Sequence, residues 1–220
     1  MAGEPTIHYF PIRGRAEPLK LVLTTQGVSF KLHTLGLEEI KDLSNFKFGQ
    51  APAYSDDEVE HLVQSNAILR HLGRKYNLYG SSRTENAAVD EAIDGVEDLQ
   101  LKYVGLIYGG KLADDAKASY WSTHGDPKNK TARNGGAHLG FLASLLSSAT
   151  NGHIVGSSLT IADVAVWNIT DNHLQIFPKE IEGEYPELAQ FHKQFASLPA
   201  IKSYLNSDLR LGQNNGNGLG

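Results

Sequence analysis

A change of rhythm near residue 82 constrains this 220-residue chain more than any other feature. Before it, short runs alternate between strand-like and helix-like spacing. After it, apolar residues recur only at three- and four-residue intervals. Ile7 to Phe10 has the makeup of a short strand that enters a turn at Arg13-Gly14. Ala16, Leu19, Val22 and Leu23 then share one helix face, and Gly27 supplies a C-terminal stop. Phe30 and Leu32 alternate as strand residues do, and Gly36 to Gly49 is a polar-rich linker. Ala51-Pro52-Ala53-Tyr54 leads through the charged turn Ser55-Asp56-Asp57-Glu58 to a strand through Val59 and Leu62-Val63. A helix follows from Asn66 to about Tyr76. The order β-α-β, then β-β-α, predicts a small mixed sheet with flanking helices over residues 1–80.

Ser81-Ser82-Arg83-Thr84 reads as a linker, and an all-helical domain is expected over 84–220. Val89, Ile93, Val96, Leu99, Tyr103 and Leu106-Ile107 form one long apolar stripe. Ala137 to Leu146, Phe191 to Phe195 and Ile201 to Leu205 predict further helices. Thr160-Ile161-Ala162-Asp163 has the capping-box pattern, with Asp in place of Glu, and opens a helix through Val164, Val166 and Trp167. The Gly/Asn-rich end, Gly212 to Gly220, predicts an extended or frayed terminus.

Composition excludes several function classes. The formal charge is -5 and the cations are scattered, whereas nucleic-acid binding needs a concentrated cationic face. No apolar run approaches the roughly 20 residues needed to cross a bilayer. The N-terminus lacks the basic and apolar regions of a secretory signal, so a cytoplasmic location is expected. With no cysteine, the chain has no disulfide, no thiolate metal ligand and no thiol nucleophile of its own. Any sulfur chemistry must use a thiol that a ligand brings in. The nine histidines show no pair at convincing metal-ligand spacing, so no metal site is expected.

Two segments carry the chemistry. Tyr9-Phe10-Pro11-Ile12-Arg13-Gly14-Arg15 puts a phenol and two guanidiniums in a tight strand-to-helix turn. Gln64-Ser65-Asn66 puts an amide and a hydroxyl where a helix begins, and open backbone N–H groups there suit an anion. Together they resemble the two halves of the glutathione site in cytosolic glutathione transferases of the tyrosine type. Asp94-Gly95-Val96-Glu97-Asp98-Leu99, Lys102-Tyr103, Leu106-Ile107-Tyr108 and Asn215-Gly216-Asn217-Gly218 bring the resemblance closest to the pi class, with the sigma class next. It is strong over about 1–108, fair over about 153–220 and weak between about 109 and 150.

The resemblance implies a thioredoxin-like N-terminal domain with a mixed four-stranded sheet, followed by an all-helical domain that holds the electrophile. In it, the Tyr9 O–H donates to the thiol of reduced glutathione, lowering its pKa from a free value of roughly 8.5 toward neutrality. Arg15 supports that electrostatically, and Arg13 is structural. Pro52 matches a proline that is typically cis in such folds, Ala51 pairs by its backbone with the cysteinyl part, and Gln50 lies along the glycyl side. Gln64 and Ser65 clamp the γ-glutamyl end, and Asp98 reaches the α-amino group across a homodimer interface. Lys41, or alternatively Lys47, contacts the glycyl carboxylate. The tryptophan usual beside it is absent, its place falling at Leu37 or Ile40, which weakens binding by on the order of 1 kcal/mol. Phe10, Val104 and Tyr108 form the electrophile pocket, and Phe48 is an aromatic key inserted into the partner subunit.

The implied activity is conjugation of glutathione to small hydrophobic electrophiles in detoxification, with glutathione as co-substrate and no cofactor. The alternatives are a glutathione-dependent isomerase of prostaglandin D synthase type and a non-catalytic crystallin-like relative. Retention of Tyr9, Arg15, Gln64 and Ser65 together favours the transferase.

Overall fold

A computed structural model describes residues 4–129, 138–147, 149 and 151–220. Its contacts resolve into two compact units. One joins the chain up to Leu78 with Leu198–Gly216, and the other joins Tyr79–Ser197 with Asn217–Gly220. The C-terminal stretch therefore clusters with the sheet, not with the 84–220 helices to which periodicity assigns it.

In the first unit β1 (Thr6–Tyr9), β2 (Lys31–Thr34), β3 (Ala53–Ser55) and β4 (Leu62–Val63) form a four-stranded sheet in the order β2-β1-β3-β4. β1 runs parallel to β2 and antiparallel to β3, and β3 is antiparallel to β4. This is the mixed sheet that the element order predicts, and it has the four strands and thioredoxin-like arrangement that the family resemblance implies. The parallel β1–β2 pair needs a crossover, which α1 (Glu17–Thr25) supplies. Register Ile7↔Tyr54 places two fully buried side chains opposite one another. Strand β4 is shorter than expected, because His61 ahead of it turns with φ 48. Leu35, Phe46, Ala53 and Val63 form a core cluster, against which Phe10, Ile40 and Ala51 pack.

What holds the C-terminal stretch in this unit is a buried carboxylate. Glu17 Oε2 accepts from the Tyr204 hydroxyl at 2.9 Å. It also lies 3.5 Å from Lys20 Nζ, with side chains only 1% and 3% exposed. Arg210 Nε stands 3.5 Å from the other carboxylate oxygen. Burial lowers the Lys20 pKa, with Glu17 acting against it. Burial, with Glu17 beside it, raises that of Tyr204. Tyr204 belongs to α9 (Pro199–Leu205), which packs on α1. A carboxylate taken out of water survives only with such partners.

The second unit is helical. α3 (Arg83–Val104) starts at Ser82, whose hydroxyl accepts from the Glu85 N–H at 3.1 Å. It continues as a wide turn through Gly105–Gly109. α4 (Asp114–Tyr120), a second wide turn (Trp121–Gly125), α5 (His138–Ser147), α6 (Ile161–Leu174), α7 (Pro178–Glu184) and α8 (Pro186–Ala196) follow. α3 and α8 both pack against α6, which is buried from Ile161 to His173. The capping box at its start is formed: Asp163 accepts from the Thr160 N–H at 2.7 Å and from the Ile154 N–H at 2.8 Å. Part of the divergent 109–136 segment, residues 130–136, lies outside the described residues.

Histidines far apart in sequence meet in this unit. His173 Nδ1 lies 2.6 Å from the Ile169 carbonyl, which can only accept, so Nδ1 carries the proton. Nε2 is then the acceptor for the Tyr120 hydroxyl at 2.7 Å. Burial drives the His173 pKa down to about 4, the Ile169 carbonyl opposing it. A folded-state value below the free 6.5 means that the unfolded chain binds the proton first. The stability from neutral His173, roughly 3 kcal/mol, is full above pH 6.5 and lost as pH falls toward 4. Thermal unfolding of wild type and His173→Gln checks this. The variant should be the less stable at pH 7.5, and the gap should narrow by pH 5. A gap independent of pH would contradict a neutral buried imidazole.

Candidate active site

β1 ends at Tyr9, and the chain turns back on it at once. The turn Gly14–Ala16 brings the Arg15 backbone N–H to 3.1 Å from Tyr9 Oη, where the phenol oxygen accepts. Gly14 makes that approach possible in two ways. Its φ of +40 is in the left-handed region, and a Cβ there would lie 2.6 Å from Tyr9 Oη. An accepted hydrogen bond polarises the phenol, and a polarised O–H is a stronger donor to an anion. The Tyr9 and Phe10 rings lie 5.6 Å apart, so an apolar face adjoins the phenol. Arg13, read as structural, is buried, whereas Arg15 is half-buried.

The Ala51–Pro52 peptide is cis, with Ala51 half-buried and Pro52 buried at the entrance to β3. The Gln50 and Gln64 side chains meet, Gln64 Nε2 donating to Gln50 Oε1 at 3.0 Å. Helix α2 (Ser65–Lys75) begins one residue earlier than the expected Asn66. Gln64 takes the cap position with φ 74 and ψ 109, a strained conformation for a non-glycine residue. Ser65 is therefore the first helical residue, not a side-chain cap. Its half-buried hydroxyl lies at the first turn of α2, whose leading N–H groups have no acceptor within the helix itself.

A latch that the sequence reading did not find holds this helix to the sheet. Asp56 accepts from the Glu58 and Val59 N–H groups at 2.8 and 3.0 Å, and from His71 Nε2 and Lys75 Nζ at 3.1 and 3.0 Å. Burial pushes the Asp56 carboxyl up, but these donors outweigh it and hold the pKa below the usual carboxylate range. The turn before β4 is thereby tied to α2. His71, isolated in sequence, is one half of that tie.

Lys41 lies in an exposed turn with its ammonium on Glu38 at 2.7 and 2.8 Å. Such a pair is worth little, so it leaves Lys41 able to exchange partners. Lys47 is exposed, as is Leu37, whereas Ile40 is half-buried. Phe48 is 64% exposed, and Leu43 in the same segment is 62% exposed. In the second unit Asp98 is exposed on α3, Val104 is half-buried at its end, and Tyr108 is 46% exposed on the turn that follows. Among the described residues no cluster of three or more histidine or acidic side chains could hold a metal ion. No described helix is long and apolar enough to cross a membrane.

A thioredoxin-like sheet with a phenol at its first strand end, a cis-proline and a strained residue opening α2, followed by a helical unit, defines a glutathione transferase fold. Residues 5–74 match the family profile described as glutathione S-transferase, N-terminal domain, and residues 114–208 match the corresponding C-terminal domain. A glutathione S-transferase P of Caenorhabditis elegans is 35% identical over 214 residues, 96% of each chain. A glutathione S-transferase P of Bos taurus is 35% identical over 219 residues, 97% of each. Among solved structures, the pi-class glutathione S-transferase of Onchocerca volvulus superposes with a TM-score of 0.82 at 32% identity, covering 99% of this chain and 100% of that one. The chain belongs to the glutathione S-transferase family, and its relatives' names agree with the pi-class resemblance of its motifs.

The geometry around Gly14 makes a sharp demand. Gly14→Ala puts a methyl group 2.6 Å from the phenol oxygen, well inside van der Waals contact, and forces alanine to a positive φ. Stability should fall by about 1–2 kcal/mol, and conjugating activity should fall further than the lost fold explains. Thermal unfolding and turnover of a chlorodinitrobenzene-type electrophile measure the two. Wild-type turnover in this variant would mean that the loop need not touch the phenol.

Proposed function

We propose that this chain binds reduced glutathione on its sheet unit, ionises the thiol with Tyr9, and adds the thiolate to small hydrophobic electrophiles. The observation that carries the reading is the Arg15 N–H on Tyr9 Oη, across a glycine that leaves no room for a side chain. A phenol so polarised favours the charged form of a thiol set against it. Gln64, Ser65 and the first N–H groups of α2 take the γ-glutamyl carboxylate. Ala51 pairs with the cysteinyl backbone, Gln50 flanks the glycyl end, and Lys41 or Lys47 meets its carboxylate. Arg15 adds positive potential. Asp98 takes the ligand's α-amino group from the partner subunit.

Phe10, Val104 and Tyr108 are assigned to the electrophile. Apolar walls discriminate weakly between hydrophobic guests, whereas the polar glutathione half rejects a ligand that leaves its groups unpaired. Broad tolerance of electrophiles follows from that asymmetry and suits a detoxifying role, which we place in the cytoplasm.

Tyr9→Phe tests the mechanism. Glutathione affinity should change little, while turnover at pH 6.5 drops roughly ten- to hundred-fold, the scale of one hydrogen bond to a charged group. The deficit should shrink as pH rises, because solvent then deprotonates the thiol. A pH–rate profile identical to wild type would remove Tyr9 from the mechanism.

We further propose a homodimer with Phe48 as its anchor. An aromatic side chain this exposed, beside an exposed Leu43, is the kind of group that dominates an interface once a partner pocket covers it. Sedimentation should show a wild-type dimer at micromolar concentration, and Phe48→Ala should shift it measurably toward monomer. A monomeric wild type would contradict the assignment.

A further inference from the structure

The Tyr9 loop is held from its far side by the other end of the chain. The Arg13 N–H donates to the Gln213 carbonyl at 2.9 Å, and the Gly14 N–H donates to the Asn214 carbonyl at 3.0 Å. The next N–H along, that of Arg15, is the one on Tyr9 Oη. Three consecutive amides are thus fixed, two by the C-terminal segment and the third on the phenol. The segment is itself well set. Asn214 and Asn215 are buried, and Gln213 Nε2 donates to the Asn215 carbonyl at 2.8 Å. Just beyond the loop, Glu17 bonds Tyr204 and faces Arg210, so α1 is tied to the same stretch of chain.

We infer that Gln213–Asn215 is a positioning element for Tyr9, holding the Arg13–Arg15 amides so that the Arg15 N–H stays on the phenol oxygen. The inference rests on the reading that Tyr9 ionises the thiol. Two neighbouring backbone bonds fix both the place and the rotation of the peptides they hold. Gly14 could otherwise move freely, since glycine has the widest choice of backbone conformation. The carbonyls of the tail supply from outside the rigidity that the loop's own sequence lacks. Without them the loop samples conformations in which the phenol has no backbone donor, and the Tyr9 O–H becomes a weaker partner for the thiolate.

Two truncations separate this role from a general stabilising one. Removal of 212–220 takes away both carbonyls, whereas removal of 217–220 keeps them. The readout is the apparent thiol pKa from kcat/KM against pH, with reduced glutathione and 1-chloro-2,4-dinitrobenzene, alongside wild type and Tyr9→Phe. The shorter chain should show the pKa raised by roughly half to one pH unit and turnover at pH 6.5 down about three- to tenfold, with the 217–220 truncation near wild type. Tyr9→Phe should cost less in the 212–220 truncation than in the full chain, because both changes remove the same interaction. If the longer truncation does not fold, the double variant Asn214→Ala/Asn215→Ala, which loosens the segment and keeps its backbone, carries the same expectation. An unshifted pKa in whichever variant folds, or equal shifts in both truncations, would overturn the inference while leaving Tyr9 in place. No shift in Tyr9→Phe itself would overturn the reading of the site, and this inference with it.

Discussion

The approach of a backbone to a phenol organises the sheet unit. Tyr9 Oη takes the Arg15 N–H, and the turn that delivers this N–H passes so close that Gly14 has no space for even a methyl group. A side-chain donor in this place would bring its own rotamers and its own ionisation. A peptide N–H brings neither, and its direction is set by the turn. The constraint then spreads outward. The turn needs fixed neighbours, which the Gln213 and Asn214 carbonyls provide, and α1 needs a fixed start, which the buried Glu17–Tyr204 bond provides.

The start of α2 in this unit is built in a different way. Gln64 is held at φ 74 where α2 starts, and the helix is fastened to the sheet by Asp56 through His71 and Lys75. The result is a rigid helix end whose first amides have no acceptor within the helix, beside two glutamine side chains bonded to each other. Rigid donors aimed at where charge will sit need little reorganisation when it arrives. The helical unit carries a different kind of surface. Its interior is locked by α6, and what it presents at the end of α3 is a half-buried valine and a partly exposed tyrosine.

Local chemistry was legible in the sequence, and long-range pairing was not. Tyr9, Gly14 and Arg15 lie within seven residues, so the turn that joins them could be read, and so could the Thr160–Asp163 box, which closes within four. The mixed sheet followed from element order, and its four-stranded thioredoxin-like arrangement from the family resemblance. Backbone carbonyls leave no signature, so the bonds that the Gln213 and Asn214 carbonyls accept from residues near the start are invisible in the sequence, and the Gly/Asn-rich end reads as extended or frayed. His71, His138 and His173 look isolated in the sequence for the same reason. His71 meets Asp56 across fifteen positions, and His124 meets His138 across fourteen. The boundary at the C-terminal stretch went unread because α9 has ordinary helical period. Its Tyr204, bonded to a carboxylate on α1, 187 positions away, helps tie it to the sheet unit, a pairing that period cannot reveal.

The central claim is that the site ionises a thiol, and the proton it expels can be counted. Calorimetric titration of glutathione at pH 7.5, in buffers of differing ionisation enthalpy, gives the protons released on binding. A thiol brought from a free pKa of roughly 8.5 to near 7 should release about 0.7 proton per site. The same titration with S-methylglutathione, which has no thiol proton, should release almost none. Equal release by the two ligands, or none by either, would contradict the account.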